Sequence, residues 1–429
     1  MSICGLDFGT SNSTVGVLHN DQATMVPLEK HPHTGDMETT LPSALFFDFE
    51  TDDISFGRQA IRNYTQGEFG RLMRSMKSIL GSSQMDEGTQ IKGQVYSFNQ
   101  IIGFFMQSLK SRAEAFSQQA MQSVVLGRPV HFNDHHPALD AAAEQRLAEI
   151  ARQVGFDQVS FQFEPIAAAF DYEQTVEDEE IALIIDIGGG TSDFTIIRLS
   201  KAGRQRADRS ADLLANHGIH IGGTDFDRHL SMATMMPFFG LGVPYKDKPT
   251  IAMPIHYFVD LATWHRIHTL YDSKVIRDIA DLRLSMQQVE PIDRLLTLLK
   301  QKDGHRLAGQ IEQAKIDLSS ASHTQLDLAF LNRDGVVTGD VTHTATAQDL
   351  EDAIATDVGR VFAAIDETLV QSGLDKQQIN TVFTTGGSTA LPSVKALVQQ
   401  RFPAANWVSG DLFNSVGKGL VLEAQRRYR

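Results

Sequence analysis

The sequence predicts an α/β protein built from two duplicated halves, each a mixed β-sheet with helices. Three observations carry this. Short apolar runs of strand character alternate with helical stretches along the whole chain. Residues 1–15 (MSICGLDFGTSNSTV) and 182–196 (ALIIDIGGGTSDFTI) write the same unusual turn twice: an apolar run, an Asp, a Gly-containing turn with Thr, and a second apolar run. Finally, 429 residues are too many for one ordinary core; they suit two lobes of roughly 200 residues each.

The elements follow in order. ICGLDF, STVGVL, ATMVPL and LPSALFF read as a β-meander. Residues 100–117 place Ile101, Phe105, Leu109 and Phe116 near one helical face. SVVLGRP (123–129) reads as a strand stopped by Pro129, residues 139–154 as an amphipathic helix, and VSFQF as the next strand. EPIAAAF (164–170) has the form of a helix start, with Pro165 pre-set for the first turn. The pattern then restarts with IALIIDI, FTIIRL and ADLLANHGI, which puts Asp7 and Asp186 in equivalent places. The acidic stretch YEQTVEDEE sets the division, giving a first lobe over 1–175 and a second over 176–429. Residues 228–320, opening with a Met-, Pro- and aromatic-rich run, read as a helical insert in the second lobe, with Met235, Met236 and Phe239 in its core. INTVFTT is the last strand, and it ends in GGSTALP.

Hydrophobic content of 42% and charged content of 21% are those of a soluble globular chain, and no run approaches 18 uninterrupted apolar residues. The formal net charge of −15 argues against nucleic acid or an anionic membrane as a partner, because both reward a basic face. A compact anionic ligand stays open, since backbone N–H groups and a metal ion bind phosphate without a basic protein. MSICGLDFG has no basic n-region or apolar h-region, and Cys4 is the single cysteine. A reducing, cytoplasmic setting is therefore expected, with Cys4 as a small core residue. The histidine pairs His31/His33, His135/His136 and His265/His268 have no matching Cys or carboxylate set, so no zinc site is expected.

The doubled hairpin carries the chemistry. Gly188, Gly189 and Gly190 remove side chains from the turn, so successive N–H groups can point at one anion. Asp186, at the end of a buried strand, needs a cation or hydrogen-bond donors to stay ionised, and Mg2+ held through its waters would satisfy it. Thr191 adds a hydroxyl and Asp193 a second carboxylate. The first hairpin repeats the set with Asp7, Gly9, Thr10, Ser11 and Asn12. Two such turns facing each other would clamp a triphosphate and its metal. No GxxxxGK[ST] occurs, so these are not Walker loops.

These motifs resemble the actin-like ATPase superfamily and, within it, the DnaK-type heat shock protein 70 chaperones. The two hairpins are similar to that family's phosphate loops. MKSILG (76–81) resembles its lysine segment, which implies a catalytic Lys77. RPVHFND (128–134) resembles the segment of its switch proline, here Pro129, and FEPIAAAFDY (163–172) implies that Glu164 orders the metal and water shell. GGTDFD (222–227) matches the turn with Gly222 and Gly223. EQAKIDLSS (312–320) implies Glu312, Lys315 and Ser319 beside ribose and adenine; TTGGSTALP (384–392) implies Gly386, Gly387 and Ser388 in the last nucleotide loop. The resemblance implies an actin-like ATPase fold, lobe closure around ATP, ATP/ADP and Mg2+ as ligands, and K+ near the phosphates. Thr191 and Asp193 would then hold the attacking water.

Two departures stand out. The arginine that this family stacks on adenine is replaced by Ala390, and a hydrophobic linker and β-sandwich substrate domain, which these 429 residues do not contain, are not expected. The match is therefore best with a branch lacking the peptide-binding domain. The expectation is a slow ATPase, a chaperone-like switch whose client or co-chaperone binds in trans. Alternatives are a nucleotide sensor with negligible hydrolysis, a small-molecule kinase of the same superfamily, and an actin-like filament protein.

Overall fold

The computed structural model describes every residue except 1, 32–34, 83–85, 134–135, 207–208, 335–341 and 410–413, so His33 and His135 lie outside it. The chain divides into two compact units. The first comprises Met1–Gly222, Val361–Thr389 and Leu397–Arg429; the second comprises Gly223–Arg360 and Ala390–Ala396.

The first unit contains the duplication. Its first sheet has strands β1 (Ile3–Asp7), β2 (Asn12–His19), β3 (Gln22–Met25), β4 (Ser123–Arg128) and β5 (Gln158–Phe163) in the order β5-β4-β1-β2-β3, with Thr40–Pro42 also pairing β2. Its second sheet has β6 (Glu180–Ile187), β7 (Ser192–Leu199), β8 (Leu213–Ile219), β9 (Thr381–Thr385) and β10 (Asn406–Ser409) in the order β10-β9-β6-β7-β8. The pairings correspond one to one. β1 is antiparallel to β2 and parallel to β4, as β6 is to β7 and β9. The outer pairs β4/β5 and β9/β10 are parallel, while β2/β3 and β7/β8 are antiparallel. Even the register repeats: Asp7 opposes Thr14 and Asp186 opposes Asp193, each acid facing the residue seven positions on.

Helices cover these sheets where the apolar period predicts. α1 (Phe98–Ser117) opens with a capping box between Ser97 and Gln100 and buries Ile101, Ile102, Phe105, Met106 and Leu109. Phe116, placed on the same face by its spacing, is instead 38% exposed, because the core ends a turn before the helix does. α2 (Pro137–Gln153) starts on its proline, and α3 (Glu164–Glu173) follows β5 directly. α4 (Asn414–Tyr428) crosses α3 closely: a side chain on Gly419 would fall 1.8 Å from the Ala167 carbonyl oxygen. Leu420, Ile3, Val125, Ile166 and Ile184 share one core beneath them, and Cys4 is buried in the neighbouring one.

The second unit is mainly helical, with His256–Ala262, Ser273–Arg283, Glu290–Lys300 and Gly304–Leu318, plus an antiparallel pair of His323–Asp327 and Thr342–Thr346. Met235, Met236 and Phe239 are fully buried, so the Met- and Phe-rich run is core, not an exposed patch. Among the described residues, no helix is long and apolar enough to cross a membrane.

Candidate functional site

Both hairpin acids sit at strand ends in the first unit, and three further charged groups surround them. Asp193 lies in β7, Glu164 opens α3, and Lys77 sits on a 3-10 turn, Met76–Ile79. Lys77 Nζ donates to Glu164 Oε1 at 2.6 Å, and the two side chains are only 10% and 13% exposed. Burial disfavours the Lys77 charge, but Glu164, Asp7 and Asp193 outweigh it and hold its pKa above the ordinary value. Burial pushes the Asp7 carboxyl up to about 7, with the Glu164 charge adding and Lys77 opposing. Asp186 is raised well above its usual value, first by burial, then by Asp193, Glu164 and Asp7.

Four carboxyl groups thus converge on one ammonium. Asp7 Oδ1 is buried without a hydrogen-bond partner among the described residues. An orphaned carboxylate oxygen in an acid-rich floor is what a divalent cation would correct. Among the described residues, no three His, Cys, Asp or Glu stand close enough to ligate one ion directly. The orphaned Asp7 oxygen among these acids fits Mg2+, which keeps several of its waters and takes outer contacts from carboxylates.

The backbone turns close over this floor. A side chain on Gly189 would lie 1.9 Å from Ser11 Oγ, and one on Gly190 would lie 3.7 Å from Thr10 Cγ2, so the two hairpin loops are neighbours. A side chain on Gly222 would strike the Gly189 carbonyl at 2.7 Å, and one on Gly9 the Asn12 carbonyl at 2.0 Å. Gly386 has φ +82°, and a side chain there would meet Asp186 Oδ1 at 2.5 Å. Gly387 opens the short turn Gly387–Ala390, in which Ser388 is buried. Thr191 Oγ1 donates to Asp193 Oδ2 at 3.2 Å, and the Gly188 N–H bonds the Thr191 carbonyl at 2.9 Å. Asp7, Gly9–Asn12, Lys77, Glu164, Asp186, Gly188–Thr191, Asp193, Gly222, Gly386, Gly387 and Ser388 all belong to the first unit.

Gly223, Glu312, Lys315 and Ser319 belong to the second unit, as does Ala390. Glu312, Lys315 and Ser319 are each half-buried along one helix. Lys315 Nζ pairs with Asp227 at 2.8 Å and donates to the Gly223 carbonyl at 3.0 Å, tying that helix to the start of Gly223–Leu230.

One residue escaped the sequence reading. Ser43 is fully buried: its N–H bonds the Ser11 carbonyl at 2.8 Å, its Oγ donates to the Gly9 carbonyl at 2.6 Å, and Ser13 Oγ lies 2.8 Å away. It braces the first loop from behind. Nothing in LPSALFF marks that serine, because the motif it supports lies about 30 residues earlier.

A twice-built sheet with an acid-tipped loop on each copy is the arrangement of an actin-like ATPase fold. The family model for Hsp70 protein matches residues 3–238 and 277–410, most of the chain. The chain belongs to the Hsp70 family. That family is one of ATP-binding, chaperone-type ATPases, which generally take ATP or ADP with Mg2+ and typically bind client proteins.

Proposed function

We propose that this chain binds ATP on the paired hairpins and hydrolyses it slowly, serving as a chaperone-like conformational switch for a client or co-chaperone held in trans in the cytoplasm. The observation that carries the reading is the convergence of two glycine loops, four carboxyl groups and one buried lysine. Phosphoryl transfer to water demands positioning and charge neutralisation more than covalent help. Backbone N–H groups of 9–12 and 189–191 cradle the β- and γ-phosphates, while the Gly188 N–H, also expected there, is taken by the Thr191 carbonyl. Asp7 and Asp186 anchor the water shell of Mg2+, which neutralises phosphate charge when bound. Lys77 leaves Glu164 to stabilise the γ-phosphate and orient the attacking water, while Glu164, Thr191 and Asp193 hold water in line. Gly222, Gly223, Gly386, Gly387 and Ser388 shape the nucleotide loops; Glu312, Lys315 and Ser319 are the contacts proposed for ribose and base. K+ is proposed as a further cation that would offset phosphate charge. The working halves in this reading are 1–175 and 176–429, with the insert over about 228–320.

The test is ATP binding and single-turnover hydrolysis with Mg2+ and K+, for wild type beside Lys77→Ala and Asp186→Ala. Cleavage by wild type, binding without cleavage by Lys77→Ala, and loss of the metal-dependent step in Asp186→Ala uphold the reading. Tight binding with no cleavage by wild type would instead favour a nucleotide sensor, the reading that Ala390 in place of the stacking arginine supports.

A further inference from the structure

On the first unit, along the free edge of the first sheet, lies a cavity of about 680 Å³ that the nucleotide chemistry does not use. One side is α2, the floor is Val159–Phe163 of the edge strand β5, and the end of α4 forms the rim. Its walls carry Arg128, Arg152, Arg209, Arg426 and Arg427, against a single carboxylate, Glu144. Five arginines around one hollow are out of keeping with a chain of net charge −15.

Three of the five are fully engaged. Arg209 is buried and held by Glu173 and Asp212; Arg128 bonds Asp140, Glu144 and the Pro129 and Val130 carbonyls; Arg426 bonds Glu423 and the Arg206 carbonyl. The other two hold unused donors. Arg427 reaches Glu423 through Nε alone, which leaves both Nη groups without a partner among the described residues. The Arg152 side chain, in the last turn of α2, makes no hydrogen bond or ion pair among the described residues. Of the acids that pair with these arginines, Glu144 lines the cavity itself, while Asp140, Glu173, Asp212 and Glu423 do not. The volume lies in the range of small-ligand pockets, and planar guanidinium forks match carboxylate and phosphate oxygens.

We propose that this cavity is a second ligand site, for a small anion bearing two or more phosphate or carboxylate groups, gripped by Arg152 and Arg427. Arg128 and Arg209, each already held by two carboxylates, only shape the wall, so the grip rests on Arg152 and Arg427. The polar floor of Ser160 and Gln162 offers further contacts.

The test is calorimetric titration of the full chain with inorganic pyrophosphate and, separately, with citrate, at low and at physiological salt. Saturable binding of at least one anion is expected, weakening as salt rises. The probe that binds tells phosphate from carboxylate chemistry. Arg152→Gln/Arg427→Gln is expected to weaken that binding at least tenfold. Arg152→Gln alone, at an exposed and unpaired position, keeps the fold and is expected to weaken it severalfold. Absence of saturable binding by either probe, or binding that both arginine variants leave unchanged, overturns the proposal.

Discussion

Replacing Asp7 by Asn should make the ligand-free protein more stable at neutral pH. The folded state raises this carboxyl from 3.8 to about 7, with burial as the main cause and the Glu164 charge second. Below pH 3.8 both folded and unfolded chains carry the proton, and there is no cost. Between pH 3.8 and 7 the folded state holds the proton that the unfolded state has released, so stability falls as pH rises. At about 1.4 kcal/mol per pH unit, the full cost above pH 7 is about 4 kcal/mol. Water reaching the half-buried carboxylate reduces it, and about 2 kcal/mol is the expected gain for Asp7→Asn at pH 8. Denaturant unfolding of both proteins at pH 5 and pH 8, without nucleotide, measures it: the advantage of the variant should shrink toward acid. Adding Mg2+ and ADP should then reverse the ranking, because a ligand present at 100 times its Kd stabilises the wild type by about 2.7 kcal/mol. An Asn variant no more stable than wild type at pH 8, or equally favoured at both pH values, would refute the claim that burial of this charge strains the site.

Other outcomes follow from the same geometry. Lys77→Ala should lower single-turnover hydrolysis by about 10²–10³ while keeping ATP binding, as removal of one preorganised charge from a transition state does. Gly189→Ala, whose new methyl would lie 1.9 Å from Ser11 Oγ, should weaken nucleotide binding, and Ser11→Ala in the same chain should restore part of it. Gly419→Ala drives a methyl against the Ala167 carbonyl and should cost about 2–3 kcal/mol in urea unfolding, with no change in the hairpins themselves. Burial pushes the Cys4 thiol up to about 12, so thiol reagents should label it only at the rate at which the first sheet opens.

The hairpins were legible in the sequence because their chemistry is local: acid, glycine and hydroxyl fall within a few residues, and the strand period on either side is unbroken. The duplication followed from finding that pattern twice. Lys77 carries no such signal, since MKSILG is an ordinary short turn without a family to compare it with. Its bond to Glu164 joins residues 87 positions apart, which no periodicity encodes. Ser43 was invisible for the same reason. The arginine-lined cavity was hidden further, because a chain-wide charge of −15 says nothing about where the positive groups gather. Phe116 shows the reverse error: spacing marks a face, but only packing decides where along a helix that face stops being covered.

The close approach of α4 to β1 has a consequence for how the molecule is made. Gly5 lies where a side chain would fall 2.5 Å from the backbone nitrogen of Val421, and Leu420 fills the core beside Ile3. β1 is therefore covered by a helix that lies roughly 400 residues further along the chain. At translation rates of roughly 5–20 residues per second, the partner of β1 arrives about 20–80 s after β1 itself. Through that interval the nascent chain carries a bare apolar sheet face, so a member of a chaperone family is, during its own synthesis, the kind of chain that needs shelter.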